Sequence, residues 1–273
     1  LDLTHVETLL PPYDKREGQP WTGSSSRVPG PTNLALASDL AEIYWLGRGQ
    51  NWWYFPQLYR TGYDLAQTDL LGLVADRGLW LDSGAGKLYV INDFTHGSSV
   101  LYRTNLDGSV LEQISLHYWR EDGLSNAPTQ PMDVALDPDA GKLYWTSKDA
   151  AAGSFESRLH RSDMDGGNWE SYVGTESPAG LAKGALDVHG PSGAIYYVES
   201  DGVAVRFYRY VPGGGLPDLV GTITTSMGQP YDLSVDGNNT RLYWRQGSTL
   251  LSMRLADGVM TAAEIETLTE TCR

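Results

Sequence analysis

The chain has 273 residues, a net charge of −14, 31 Gly, 14 Pro, and 16 Tyr and 9 Trp against 4 Phe. The charge leaves no basic patch for a phosphate backbone, which argues against a nucleic-acid partner. No apolar run is long enough to span a bilayer and no basic leader precedes one, so membrane insertion is not expected and the chain reads as soluble. The lone Cys272 excludes an intrachain disulfide and any cysteine-built metal site.

Residues 1–30 do not repeat: Val6-Glu7-Thr8-Leu9-Leu10 suits one strand, and Ser24-Ser25-Ser26 with its flanking Gly and Pro suits a loop. A repeat then begins. Its first unit has Asn33-Leu34-Ala35-Leu36-Ala37, Ile43-Tyr44-Trp45 and Leu58-Tyr59-Arg60. The second has Leu79-Trp80-Leu81-Asp82, Leu88-Tyr89-Val90, Leu101-Tyr102-Arg103 and Leu106-Asp107-Gly108. The third has Val134-Ala135-Leu136-Asp137, Leu143-Tyr144-Trp145, Leu159-His160-Arg161 and Met164-Asp165-Gly166. The fourth has Ala185-Leu186-Asp187, Ile195-Tyr196-Tyr197 and Phe207-Tyr208-Arg209, and the fifth Leu233-Ser234-Val235-Asp236, Leu242-Tyr243-Trp244 and Leu251-Ser252-Met253. From Ala37 through Asp82, Asp137, Asp187 and Asp236 the steps are 45, 55, 50 and 49 residues. Each unit holds four β-forming runs separated by Gly, Pro and Asp turns, so each is expected to be one antiparallel, four-stranded blade. A lone twisted blade leaves both faces open, and blades therefore stack as an all-β propeller. An irregular sandwich leaves the repeat unexplained. One domain over residues 1–273 follows, with a non-repeating segment (1–30), five blade repeats (31–258) and a closing segment (259–273).

Leu143-Tyr144-Trp145-Thr146-Ser147, its Asp137-Pro138 lead-in and Leu106-Asp107-Gly108-Ser109 resemble the YWTD, or low-density-lipoprotein-receptor class B, propellers over about residues 33–258. The signature's final Asp is absent from all five units. The resemblance implies six blades, the sixth completed by residues 1–30 and 259–273; a closed set of five is the competing reading.

Within each unit the links between first and second strands and after the third strand are short. The long links, Gln50 to Pro56, Asp93 to Ser99, Leu116 to Gln130 and Lys148 to Ser157, should share one face, where binding is expected. Counting back four residues from each terminal position along the first strands gives Asn33, Gly78, Asp133, Lys183 and Asp232. One residue further back stand Thr32, Arg77, Met132, Ala182 and Tyr231. Two before the terminal position lie Ala35, Trp80, Ala135, Ala185 and Ser234, where the bulk of Trp80 either plugs an axial channel or floors a pocket.

These positions give the candidate site. Asp133, Asp232 and Lys183 are the candidate acid–base groups, and Asn33, Arg77, Trp80, Met132 and Tyr231 the candidate ligand contacts at an axial mouth. Trp53, His117 and Trp119, in the long loops, are candidate stacking residues. The structural alternative is that Lys183 pairs with the acids to close the channel and that the loop aromatics pack down as a lid. The histidines share no ligand spacing, no phosphate loop or nucleophile elbow is present, and Asp-x-Asp pairs such as Asp137/Asp139 and Asp163/Asp165 suit turn caps, so neither metal nor cofactor is expected.

The resulting expectation is a stand-alone propeller that binds a small organic ligand. Any chemistry would be cofactor-free acid–base, cyclisation or addition chemistry of small-molecule metabolism. The alternative is an extracellular module recognising protein or carbohydrate; the rim loops differ between units, which favours one central site over a lectin's repeated ones. Compartment stays open, with secretion compatible.

Overall fold

The structure is a computed structural model and describes residues 31–47, 56–64, 68–75, 77–95, 98–114, 131–149, 156–171, 182–201, 203–224, 230–236, 238, 240–246, 249–255 and 265–268. The fold is all-β. Five four-stranded antiparallel sheets follow one another along the chain as the blades of a β-propeller, each a simple meander of neighbouring strands. Blade 1 is β1 (Pro31–Ala37), β2 (Glu42–Gly47), β3 (Gln57–Gly62) and β4 (Thr68–Val74); blade 2 is β5 (Arg77–Asp82), β6 (Lys87–Thr95), β7 (Ser98–Asn105) and β8 (Glu112–Gln113). Blade 3 is β9 (Pro131–Asp137), β10 (Lys142–Asp149), β11 (Glu156–Asp163) and β12 (Glu170–Ser171). Blade 4 is β13 (Ala182–His189), β14 (Ala194–Ser200), β15 (Ala204–Tyr210) and β16 (Asp218–Thr224), and blade 5 is β17 (Pro230–Val235), β18 (Arg241–Gln246), β19 (Thr249–Arg254) and β20 (Ile265–Leu268). The expected sixth blade is not formed from the C-terminal segment, because β20 pairs with β19 and completes blade 5. Residues 1–30 lie outside the described residues.

The chain divides into two compact units, one holding blade 1 and most of blade 2, the other holding blades 3 to 5. In the first, Ala37, Tyr44, Leu46 and Leu58 of blade 1 pack with Leu79, Leu88 and Val90 of blade 2. In the second, Ala135, Tyr144 and Leu159 of blade 3 pack with Leu186, Ile195 and Tyr197 of blade 4. Tyr196, Val205 and Phe207 of blade 4 then pack with Leu242, Trp244 and Met253 of blade 5. The Phe207 and Trp244 rings sit 4.8 Å apart, tilted by 55°. Residues alternate across a strand, so the Tyr of each Tyr-Trp pair faces one side of its blade and the Trp the other. Each buried aromatic contributes about 1.5–3 kcal/mol, which makes the pair the glue between blades.

Two repeated devices fix the blades locally. The terminal Asp caps the first turn: Ala85 N–H donates to Asp82 Oδ1 (3.0 Å), Ala140 N–H to Asp137 Oδ1 (3.1 Å) and Arg241 N–H to Asp236 Oδ1 (2.8 Å). The second device is an arginine on the third strand paired with an acid nine residues later on the fourth. Arg60 binds Asp69 at 2.8 Å and Arg103 binds Glu112 at 2.5 Å, while Arg161 pairs with Glu170. The Asp-Gly turns add a contact between blades. At Gly108 (φ 79°) an added Cβ would lie 2.6 Å from the carbonyl oxygen of Leu71, and at Gly166 (φ 85°) 2.6 Å from that of Ile114. Only glycine lets these turns lie against the neighbouring blade.

Candidate functional site

Strand register shows which first-strand residues are equivalent. The second-strand tyrosines Tyr44, Tyr89, Tyr144, Tyr196 and Tyr243 face Ala35, Trp80, Ala135, Asp187 and Ser234. Blades 1, 2, 3 and 5 therefore keep the register read from the sequence, and blade 4 does not. There His189, not Asp187, faces the start of the second strand at Ala194, as Asp137 faces Lys142. A 3-10 turn at Gly190–Ser192 separates the two strands. Asp187 thus stands where blade 3 has Ala135. Ala185 takes the place of Asp133, and Lys183, opposite Glu199, lies two positions away from the row assigned to it. A signal for this is present in the sequence: the terminal residue precedes the repeat Tyr by seven positions in the other four blades, and in blade 4 the residue that does so is His189.

In the second unit β13 lies between β9 and β17. Three hydrogen bonds, none part of a strand ladder, stitch it in place. Leu186 N–H donates to Asp133 Oδ2 at 2.9 Å, and Thr146 Oγ1 donates to the Gly184 carbonyl at 2.8 Å, so two bonds join blade 3 to blade 4 on either side of Ala185. On the other side Val235 N–H donates to Asp187 Oδ2 at 2.8 Å, joining blade 4 to blade 5. Asp133 Oδ1 also accepts from Val134 N–H at 2.9 Å.

The carboxylates therefore have backbone donors, but no cation bonds to either among the described residues. Asp133 as a residue is only half-buried, yet protein atoms close around its carboxylate. Burial of the charged end pushes this carboxyl up to about 7. The two N–H groups oppose that rise, and the negative charges of Asp232 and Asp187 add to it. Burial likewise lifts Asp187 to about 6, against the N–H groups of Val235 and Val188 and the Ser234 hydroxyl.

Asp232 stands two residues before Ser234, as Asp133 stands two before Ala135, but the pairing skips it: Arg245, two past the repeat Tyr243, faces Tyr231, where in blade 3 Thr146 faces Asp133. β17 is irregular between Tyr231 and Ser234, Asp232 adopts φ 54°, and its carboxylate meets Arg245 Nε at 3.0 Å with both side chains more than half exposed. In blade 2 the same position is Gly78 (φ 58°). A Cβ there would lie 1.8 Å from Trp80 Cη2, so the Trp80 indole lies over the Gly78 backbone. Asn33 and Met132 are half-buried. Arg77, Lys183 and Tyr231 lie in β5, β13 and β17, but their side chains are outside the described residues, and Trp53, His117 and Trp119 are outside them altogether.

The second unit thus brings Asp133, Asp187 and Asp232 into one electrostatic neighbourhood on the first strands of blades 3 to 5. Among the described residues no group of three His, Cys, Asp or Glu side chains has the geometry of a metal site. His160 is structural: it is 2 % exposed, bonds Ser147 Oγ at 2.6 Å and stacks on Trp145 at 5.2 Å. No helix among the described residues is long and apolar enough to cross a membrane.

No family model matches the chain, and no curated protein matches it. Solved structures do. A nidogen/laminin complex aligns with a TM-score of 0.61 at 16 % identity, covering 87 % of this chain and 78 % of that one. A protein of Agrobacterium tumefaciens assigned as TolB aligns at 0.57 with 14 % identity, covering 87 % and 79 %. A protein of Bacteroides uniformis assigned as a 6-phosphogluconolactonase aligns at 0.54 with 15 % identity, covering 90 % and 73 %. At these identities the shared property is the fold: the chain has a β-propeller architecture found in proteins named for quite different roles.

Proposed function

We propose that the first strands of blades 3 to 5 bind a small organic ligand, with Asp133 as the group that takes a proton from the bound molecule or gives one to it. The observation that carries this reading is a carboxyl held at about 7 on a half-buried first strand. Such a group is available as acid and as base near neutral pH. Asp232 and Arg245, exposed beside it in blade 5, supply a fixed pair of opposite charges for orienting a polar ligand. No cofactor is invoked. The same reading takes the chain as a divergent member of the YWTD propellers. The test is a thermal-shift screen of the whole protein at pH 7 against small polar and aromatic metabolites, followed by calorimetry on each hit. A hit whose affinity falls at least tenfold in Asp133→Asn supports the proposal. Absence of any hit, or affinity unchanged in both Asp133→Asn and Asp232→Ala, rejects it.

A second reading, recognition of a protein partner, rests on the outer turn of blade 4. Leu216 there is 77 % exposed, with Leu219 and Val211 exposed beside it. Its glycines Gly213 and Gly215 approach nothing, in contrast to Gly108 and Gly166. Loss of a pulled-down partner on Leu216→Ser, with the small-molecule hits unaffected, would favour this reading.

A further inference from the structure

The bonds between blades in the second unit differ in kind from the repeated bonds described within the blades. Within blades the acids are matched to arginines or to turn amides of the same blade: Arg60 to Asp69, Arg103 to Glu112, Arg161 to Glu170, and the buried Asp137 to Ala140. Between blades 3, 4 and 5 the acceptor is an enclosed carboxylate whose donor is a main-chain N–H of the next first strand, Leu186 for Asp133 and Val235 for Asp187. In both cases the donor sits one register position beyond the acid: Leu186 matches Val134, and Val235 matches Leu136, one past the Ala135 position that Asp187 fills.

The charged groups around these seams are few. On β17 Asp232 adds a like charge to Asp133, and its cation, Arg245 of β18, is bonded to Asp232 itself. On β13 Asp187 adds a second like charge, while His189 acts favourably on Asp187. β10 presents Thr146 opposite Asp133, and β14 presents Tyr196 opposite Asp187; neither is charged at neutral pH. Glu199 of β14 and Lys183 of β13 pair with each other in register beyond Ala185. Asp133 and Asp187 are half-buried as residues, and among the described residues no cation is bonded to either; two such carboxylates sharing a field are costly to ionise together, because desolvation and mutual repulsion both act against the second charge.

We propose that Asp133 and Asp187 form a proton-operated latch on blade 4, whose seams to blades 3 and 5 are tight while the carboxyls hold protons and loosen as both ionise. The inference is independent of ligand binding. Protonation leaves each acid a carbonyl oxygen to accept the N–H of the next blade and removes the repulsion along the row. Ionisation strengthens each single bond but leaves two like charges enclosed beside Asp232. The coupling opposes the usual pattern, in which a native carboxylate stabilises its fold when charged.

The experiment is amide hydrogen exchange followed residue by residue by NMR on the full chain from pH 5.5 to pH 8.5. Rates are corrected for intrinsic base catalysis and compared with the Tyr144 and Tyr243 amides inside blades 3 and 5. The protection of Leu186 and Val235 is expected to fall by about tenfold or more relative to those references as pH rises. That excess fall should vanish at Val235 in Asp187→Asn and at Leu186 in Asp133→Asn. Equal pH dependence at seam and reference amides in the unaltered protein overturns the latch. So does an excess fall that persists at Val235 in Asp187→Asn, which keeps the Asp133 seam and serves if Asp133→Asn does not fold.

Discussion

The first strands of blades 2 and 3 solve one packing problem in opposite ways. Counted back from the residue that faces the repeat Tyr, β5 carries Gly78 and Trp80 where β9 carries Asp133 and Ala135, but the pairing skips Gly78 and sets Arg77 opposite Ile91, whereas Asp133 faces Thr146. In β5 the large side chain is tolerated because its neighbour two residues earlier has none, and the indole covers bare backbone. In β9 the small Ala135 faces Tyr144, and the carboxylate of Asp133 reaches the next blade. The scaffold asks only that bulk at the two positions be complementary, so whether the row is aromatic or acidic is left to function.

That comparison breaks most severely at Gly78. Gly78→Ala places a Cβ inside the volume of the Trp80 ring and forces a side chain onto a backbone at φ 58°. The two effects together are expected to destabilise the fold by about 2–4 kcal/mol in urea unfolding. In a Trp80→Ala background the steric part disappears and about 1 kcal/mol of backbone strain remains. An equal cost in both backgrounds would mean that the indole does not lie over Gly78 in solution.

The counterpart in β9 is electrostatic, and its sign follows from the direction of the shift. Asp133 is raised from 3.8 to about 7 in the folded protein, so the folded state holds the proton more tightly than the unfolded chain does. The stability this contributes is fully present below about pH 4 and is lost as pH rises to about 7, at most about 4 kcal/mol over that window. Asp133→Asn removes the titration but turns one of two acceptor oxygens into a donor facing an N–H, at about 1–2 kcal/mol. The variant should therefore be less stable than the unaltered protein at pH 5 and equally or more stable at pH 8.5 by chemical denaturation. Parallel pH profiles for the two proteins would show that Asp133 is not the titrating group.

Much of this was legible in the sequence, and the failures share a cause. Five repeats of strand, turn and Tyr-bearing strand are visible because each blade repeats the same hairpin chemistry, and the resulting all-β propeller follows from stacking alone. The register of blade 4 was misread because a single carboxylate, Asp187, served as the ruler; the seven-residue interval to the repeat Tyr identifies His189 instead. Lys183 enters the candidate row through that count, and Asp187, which bridges blades 4 and 5, stays out of it because it serves as the strand's terminal residue. The sixth blade was expected from resemblance, whereas pairing of Ile265–Leu268 with β19 is a long-range choice with no local signature. The count that sets Asp232 level with Asp133 misses the irregularity in β17, which leaves Asp232 out of the pairing, puts Tyr231 opposite Arg245 and carries the Asp232 side chain to Arg245; alternation does not encode it.

Asp232 offers the smallest and most diagnostic test of the contrast. It stands as far before Ser234 as Asp133 does before Ala135, yet its carboxylate is exposed and its ion pair with Arg245 lies in solvent, so the pair contributes within about 1 kcal/mol. Its backbone, at φ 54°, is one that glycine adopts without penalty. Asp232→Gly gives up the weak pair and relieves the strained conformation, though it frees the unfolded chain as well. The net change is expected to lie within about 0.5 kcal/mol of zero, well below the effect of Asp133→Asn. A loss above about 2 kcal/mol would place Asp232 in the same enclosed environment as Asp133 and make the row of three carboxylates one coupled unit.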